Sequence, residues 1–233
     1  YKLETEYSWT LGSNHKRYNY LSRPRRLSQR HINSQRKSCI IKFSGICRIR
    51  QRNKLTKQSF PGITITGVGH CLPTNFEDNE TLCRSLSVTP EWIIEKTGIQ
   101  RRYIAAPEDS ASDYAVNAAQ HALAMAKITA NEIDLIIVCT FSGDYIFPPL
   151  SAKVQMELKA IHAQIFDLQA NCTGFLTGLT VASDRMKIDS SVRHALVIGV
   201  ELCSRYIDRT DVNTAIYLSD GAGAAVLSHI DTD

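Results

Sequence analysis

Regular cysteine spacing is missing from this chain. Its seven cysteines form no CxxC and no framework interval, which excludes a disulfide scaffold and points to reduced thiols in a cytosol-like compartment. No apolar run approaches the ~20 residues needed to span a bilayer, so no membrane association is expected. Methionine is scarce, three residues in all, and the first is Met125. No Gly-Lys-Ser/Thr follows Asp220-Gly221-Ala222-Gly223, so that segment is a turn rather than a nucleotide-binding loop. Acidic residues are nearly missing from one region. Residues 1–60 hold 2 of the 23 Asp and Glu but 15 of the 27 Lys and Arg, and so carry +13. Residues 61–233 hold 21 acidic and 12 basic residues and carry −9. The overall +4 averages two unlike parts, and the shift near residue 60 marks a boundary.

The basic part has little periodicity, and a disordered, solvated extension is expected. Three readings stay open: an organelle transit peptide, a basic arm for phosphate backbones, or translated sequence upstream of the true start. Missing patterning and the late first methionine favour the last. The compartment is therefore cytoplasmic, or a plastid if residues 1–60 are a transit peptide. The negative body and the lack of a binding module argue against a nucleic-acid partner.

From Gly62 the patterning becomes regular. Ile63 to Gly69 alternates as a strand does. Asn79 to Leu86 is a short helix. Thr89-Pro90-Glu91 has the N-cap, first-turn proline and acidic residue of a helix start, and Gly98 suits its end. Arg101-Arg102 falls on a turn. Ser112 to Lys127 is a helix with Ala115, Ala118, Ala119, Ala122, Met125 and Ala126 on one face. Thr129 and Glu132 have capping-box spacing. Leu135 to Cys139 and Ala195 to Val200 are strands too apolar for a one-sided sheet. Pro148-Pro149 opens a helix with Val154 and Leu158 inward. Buried strands alternating with helices make an α/β layer structure. The chain stops at Asp233, just after a strand and without a closing helix, which reads as a cut rather than an end.

Cys172 is the residue around which the rest is arranged. A buried strand, Ile165 to Leu168, precedes it, and an uncharged helix from Thr173 to Val181 follows. That helix reads as buried on most sides, and Gly174 and Gly178 share one face of it. A cysteine at a helix start has its thiolate favoured by free N–H groups and the helix dipole. The thiolate is the nucleophilic form, so an acyl-accepting cysteine fits. The bland alternative is a small core residue, as Cys139 and Cys203 read.

Four motifs then fall in order: Gly67-x-Gly69-x-x-Leu72-Pro73, Trp92-Ile93-x-x-Lys96-Thr97-Gly98-Ile99-x-x-Arg102, Asn171-Cys172-x-Gly174-Phe175, and Asp220-Gly221-Ala222-Gly223-Ala224. Together they resemble β-ketoacyl-acyl-carrier-protein synthase III over about residues 61–233. The resemblance implies the N-terminal half of a thiolase-like layered α/β/α/β/α fold. It also implies a homodimer, an acyl-carrier protein partner, acyl-coenzyme A and malonyl-acyl-carrier protein as substrates, and neither cofactor nor metal. In that family the cysteine takes an acyl group from coenzyme A. A histidine and an asparagine then promote decarboxylation of the malonyl thioester, and the resulting enolate attacks the acyl-cysteine. This reaction starts fatty acid synthesis.

Carried over residue by residue, Cys172 is the acyl-thioester nucleophile, with its backbone N–H in an oxyanion hole. Trp92 stacks on the adenine at the tunnel mouth, unless it simply packs on the core. Thr97 belongs to the same entrance. Phe147 crosses to cap the partner's acyl pocket, unless it is a plain core residue. Lys96 stands where arginine is usual, and Val212 stands where an arginine completes the adenine clamp. A lysine lacks the guanidinium fork and a valine has no charge, so a different acyl donor is an alternative, as in relatives that serve polyketide or secondary-metabolite pathways. The family's histidine and asparagine fall in the second half, and none of the seven histidines here fits. His229 reads as an exposed residue after a strand, and His70 and His162 sit at element edges. An inactive fragment lacking that half, with a large apolar face exposed, is the further alternative.

Overall fold

The dense apolar run Leu135–Cys139 becomes an inner strand of a five-stranded mixed sheet, with all five residues buried. The computed structural model describes residues 62–230; the expected extension at 1–60 lies outside the described residues. In chain order the elements are β1 (Gly62–Cys71), β2 (Phe76–Asp78), α1 (Asn79–Leu82), α2 (Pro90–Thr97), β3 (Arg101–Tyr103), α3 (Ala111–Ala126) and β4 (Leu135–Cys139). Then follow α4 (Leu150–Leu158), β5 (Gln164–Leu168), α5 (Gly174–Ile188), β6 (His194–Leu202), α6 (Val212–Ala215) and β7 (Asp220–Ile230). The sheet order is β1-β7-β6-β4-β5. β4 runs parallel to β5 and β6, and β7 runs antiparallel to β6 and β1. β2 and β3 form a separate antiparallel pair.

Strand alternation assigns the two faces of the sheet. Ile136 and Val138 of β4 join Leu196, Ile198 and Val200 of β6 under α3 and α4. Leu135, Ile137 and Cys139 join Ala195 and Val197 on the other face, against Ala182 and Met186 of α5. The alanine stripe of α3 lies directly on β1. Cβ atoms added to Gly67 and Gly69 would collide with the carbonyl oxygens of Ala122 and Ala118. These two glycines are therefore required by packing.

The caps form as the sequence indicates. Thr89 accepts from the Trp92 N–H at 3.3 Å, Pro90 opens α2, and Gly98 ends it at φ 71°. Thr129 and Glu132 make their capping box around a single 3-10 turn. Six expectations need correction. The helix at Asn79 stops at Leu82 instead of Leu86. Met125 is 60% exposed although α3 still lies against β1 there: Ala126 packs on Gly67, and the Val68 N–H donates to the Met125 sulfur at 3.3 Å. Arg102 lies in β3, not on a turn, and is fully buried. Among the described residues β5 is paired only with β4, and Phe166 is exposed. α5 buries only the face carrying Gly174, Gly178, Ala182 and Met186; Leu176 is 67% exposed, and Val181 and Ile188 are exposed with it. The glycine-rich segment from Asp220 is not a turn but the start of β7, with Gly221 opposite Glu201 and Gly223 opposite Gly199.

A small satellite core lies apart from the sheet. Leu82, Leu86, Ile93, Ala215 and Ile216 form it, with Val212 packed against it. Arg102 ties it together. Its guanidinium donates to the Ile216 carbonyl at 2.6 and 3.1 Å and to the Asn79 side-chain oxygen. Asn79 in turn donates to the Ile99 carbonyl at 2.9 Å. Burial pushes the Arg102 pKa down, but a planar fork can still satisfy several acceptors at once. No described helix is long and apolar enough to cross a membrane.

Candidate active site

β5 ends at Leu168, a 3-10 turn spans Asn171–Thr173, and fifteen residues of α5 follow. Cys172 is exposed in that turn, one residue before the N-cap position, Thr173. Asn171 has φ 46°, a left-handed conformation that asparagine tolerates better than most residues. The turn is closed by the Thr173 hydroxyl, which donates to the Ala170 carbonyl at 2.9 Å. Thr173 makes no side-chain cap to the first turn of α5, and the Gly174 N–H donates to the Asn171 carbonyl, so the 3-10 turn runs directly into the helix.

Cys172 shares its end of the sheet with the carboxyl ends of β4 and β6. Thr140 N–H donates to the Leu168 carbonyl at 3.2 Å, joining the ends of β4 and β5. A Cβ on Gly174 would stand 3.4 Å from the Cβ of Cys139, so the start of α5 rests on the end of β4. Carboxyl ends of adjacent parallel strands are where open α/β sheets gather ligands.

A partly buried carboxylate underlies this corner. Glu201 accepts from the Phe141 N–H at 3.1 Å, from the Thr140 hydroxyl at 3.3 Å and from the Ser142 hydroxyl. Ser142 accepts in turn from the Leu202 N–H at 2.9 Å. Burial pushes the Glu201 carboxyl up, and these hydrogen bonds only partly oppose it. Burial, with the charges of Asp167 and Glu201, pushes the Cys139 thiol up to about 11. Burial, with Glu201, Asp220 and Cys172 nearby, does the same for Cys203. Both are neutral core thiols, as expected from their apolar runs.

Two acidic residues here were not singled out by sequence. Glu201 hides at the end of an apolar strand. Asp167 interrupts Ile165–Leu168, and that interruption was the available signal. Its carboxylate accepts from the Leu150 and Ser151 N–H groups at 2.7 and 2.8 Å and so caps α4. Asp220 is likewise structural, accepting from the N–H groups of Ala105 and Ser204 at 2.8 Å each.

The sequence model of the 3-oxoacyl-[acyl-carrier-protein] synthase III family matches residues 166–233, the segment that carries Cys172. Beta-ketoacyl-[acyl-carrier-protein] synthase III 2 of Vibrio cholerae is 48% identical over 164 residues, covering 70% of this chain and 44% of that protein. The synthase III of Wolbachia pipientis is 42% identical over 163 residues, with 70% and 51% covered. Among solved structures, 3-oxoacyl-[acyl-carrier-protein] synthase III of Aquifex aeolicus superposes at TM-score 0.70 with 36% identity, covering 73% of this chain and 55% of that one. The chain belongs to the β-ketoacyl-acyl-carrier-protein synthase III family. The priming β-ketosynthase of the R1128 polyketide pathway is equally similar in fold, at TM-score 0.71 and 36% identity over 75% of this chain and 52% of that one. The chain spans about half the length of the curated relatives it matches. Its fold is accordingly about half of the thiolase-like synthase III fold.

The other expected site residues fall in two places. Trp92 and Lys96 are exposed on α2, in the satellite that also holds Val212. Thr97 is half-buried, and its hydroxyl is spent locally, donating to the Ile93 carbonyl at 2.8 Å and accepting from the Ile99 N–H at 2.9 Å. Phe147 stands in the β4–α4 loop and is 86% exposed beside exposed Tyr145 and Ile146, so it is not part of the core described here. Cys172 belongs to the main sheet rather than to the satellite. His70 and His162 are exposed. His229 was expected to be exposed beyond a strand; it is half-buried within β7, its N–H donating to the Arg193 carbonyl at 3.1 Å.

Proposed function

We propose that Cys172 is the acyl-accepting nucleophile of a synthase III-type acyltransferase. Its thiolate attacks the thioester carbonyl of acyl-coenzyme A, the carbon–sulfur bond to coenzyme A breaks, and the acyl group remains as a thioester on Cys172. The observation that carries this reading is an exposed cysteine held in a tight turn at the start of a long helix, at the carboxyl ends of parallel strands. The Cys172 N–H serves the oxyanion hole. Condensation with malonyl-acyl-carrier protein, the step that starts fatty acid synthesis, needs the histidine and asparagine that the resemblance puts in the second half of the fold. Acyl loading is therefore the half-reaction assigned to the residues described here.

Trp92, Lys96 and Thr97 form the coenzyme A entrance in this reading, and acyl-carrier protein brings the second substrate. Phe147 reaches a second copy of the chain across a homodimer interface. Its exposure supports this, as does an adjoining apolar cavity of about 280 Å³ lined by Tyr145, Pro148, Leu150, Lys153 and Met156.

The test is incubation with acetyl-coenzyme A followed by intact-mass measurement. An acetyl adduct that Cys172→Ala removes is the expected result; an adduct that survives the substitution overturns the assignment. A second reading concerns the donor. Val212 is packed against the satellite core and brings no charge of its own. A carrier-protein-bound acyl group, as in polyketide or secondary-metabolite synthesis, is then the better donor, and faster loading from acyl-carrier protein than from acyl-coenzyme A would select it.

A further inference from the structure

Two aromatic rings stand at the same end of the sheet as Cys172 and have no part in the reading above. Phe141 follows β4 by two residues, and Tyr206 follows the turn Cys203–Arg205 after β6. Their rings meet edge to face, with centroids 6.0 Å apart and planes at 62°. Both remain accessible, Phe141 at 40% and Tyr206 at 61%. An exposed aromatic pair on mobile loops would mean little. Here both backbones are fixed. The Phe141 N–H donates to Glu201, and Ser142, its neighbour, bridges Glu201 and the Leu202 N–H. The Tyr206 N–H donates to the Cys203 carbonyl at 3.0 Å.

The surroundings bring this pair to the cysteine. Thr140, adjacent to Phe141, is bonded to the last residue of β5, four residues before Cys172. The end of β4 touches the start of α5 at Cys139 and Gly174. Cys203, whose carbonyl holds Tyr206, lies within electrostatic reach of the Cys172 sulfur. The three strand ends therefore bring to one corner the Cys172 sulfur and two aromatic rings, with the Phe141 backbone braced by a partly buried carboxylate and Tyr206 by the Cys203 turn.

Resting on the assignment of Cys172, we propose that Phe141 and Tyr206 form a wall that sets the length of acyl chain admitted to Cys172. A chain of a few carbons lies against the ring faces and gains apolar contact. A longer chain meets rings whose backbones are held in place, Phe141 by Glu201 and Tyr206 by the Cys203 turn, so the chain must displace the rings themselves. Glu201 is a positioning residue in this scheme and acts only through Phe141.

The test needs no acyl transfer, so its outcome is separate from that of the acetyl-coenzyme A experiment. The full chain is treated with alkyl methanethiosulfonates from methyl to decyl. These form a mixed disulfide with the cysteine sulfur and release methanesulfinate. The rate at the Cys172 peptide is followed by mass spectrometry, with Cys172→Ser as the control. In the unaltered chain the decyl-to-methyl rate ratio is expected to fall well below that of an exposed model thiol. F141A and Y206A are each expected to raise that ratio by about threefold or more, and the pair together further. F141L, which keeps bulk without a ring, is expected to lie between. Glu201→Ala is expected to raise the ratio through the freed loop, while Glu201→Asp recovers part of the selectivity. Ratios that stay the same or fall in folded F141A and Y206A overturn the wall, whether or not Cys172 takes an acetyl group.

Discussion

The Sγ of Cys139 lies 2.7 Å from the point where a Cβ on Gly178 would stand, and Val197 Cγ1 lies 2.9 Å from it. α5 thus rests on β4 and β6 with no room for a methyl group. An alanine at 178 would gain up to ~1 kcal/mol of helix propensity. Overpacking against a buried sheet costs about 1–3 kcal/mol and should win. Gly178→Ala is expected to lower the urea midpoint, and Cys139→Ala in the same chain to restore part of the loss. Because α5 begins beside Cys172, the same variant should slow alkylation of that thiol.

Arg102 is a buried cation that meets carbonyl and amide oxygens rather than a carboxylate. Replacing it with methionine keeps the stem but strands the Ile216 carbonyl and Asn79, at about 1–3 kcal/mol for each group left unpaired. Lysine cannot reproduce the fork and should recover only part of this. Denaturant unfolding of R102M and R102K measures both, with R102M the less stable. Equal stability of R102M and the unaltered chain would remove Arg102 as the tie of the satellite.

Two partly buried carboxylates should give opposite pH signatures. Burial raises the Glu201 pKa, so the native state keeps that proton to higher pH than the unfolded chain does. The stability it contributes therefore falls as pH rises from the ordinary glutamate range through the raised value. For Asp144, burial also pushes upward, but hydrogen bonds from Ser112, Lys153 and the Ala111 N–H prevail and hold its pKa down. Its contribution is present above the ordinary aspartate range and is lost as pH falls through the lowered value. Unfolding free energy against pH, taken as the difference from E201Q and from D144N, should slope downward with pH in the first case and upward in the second.

Local chemistry determined much of this protein before any folding. Thr89, Pro90 and Gly98 delimit α2 because caps depend on neighbours in the chain. Leu135–Cys139 read as a strand covered on both faces because it is apolar at every position. The strand, turn and helix around Cys172 were legible because their signals meet within ten residues. Other features depended on which elements become neighbours. Ile165–Leu168 looked interior, yet among the described residues β5 is paired on one side only and its Phe166 is exposed. The outer face of α5 is apolar in composition and exposed in fact. Arg102 looked like a turn residue until the Ile216 carbonyl, 114 residues away, gave it a buried partner. Glu201 and Phe141 are separated by 60 residues and meet only because β4 and β6 are adjacent and parallel. Capping, turn chemistry and periodicity act within a few residues of the chain. Strand order and the pairing of distant polar groups are set by how the whole apolar surface is shared out, and no local stretch carries that information.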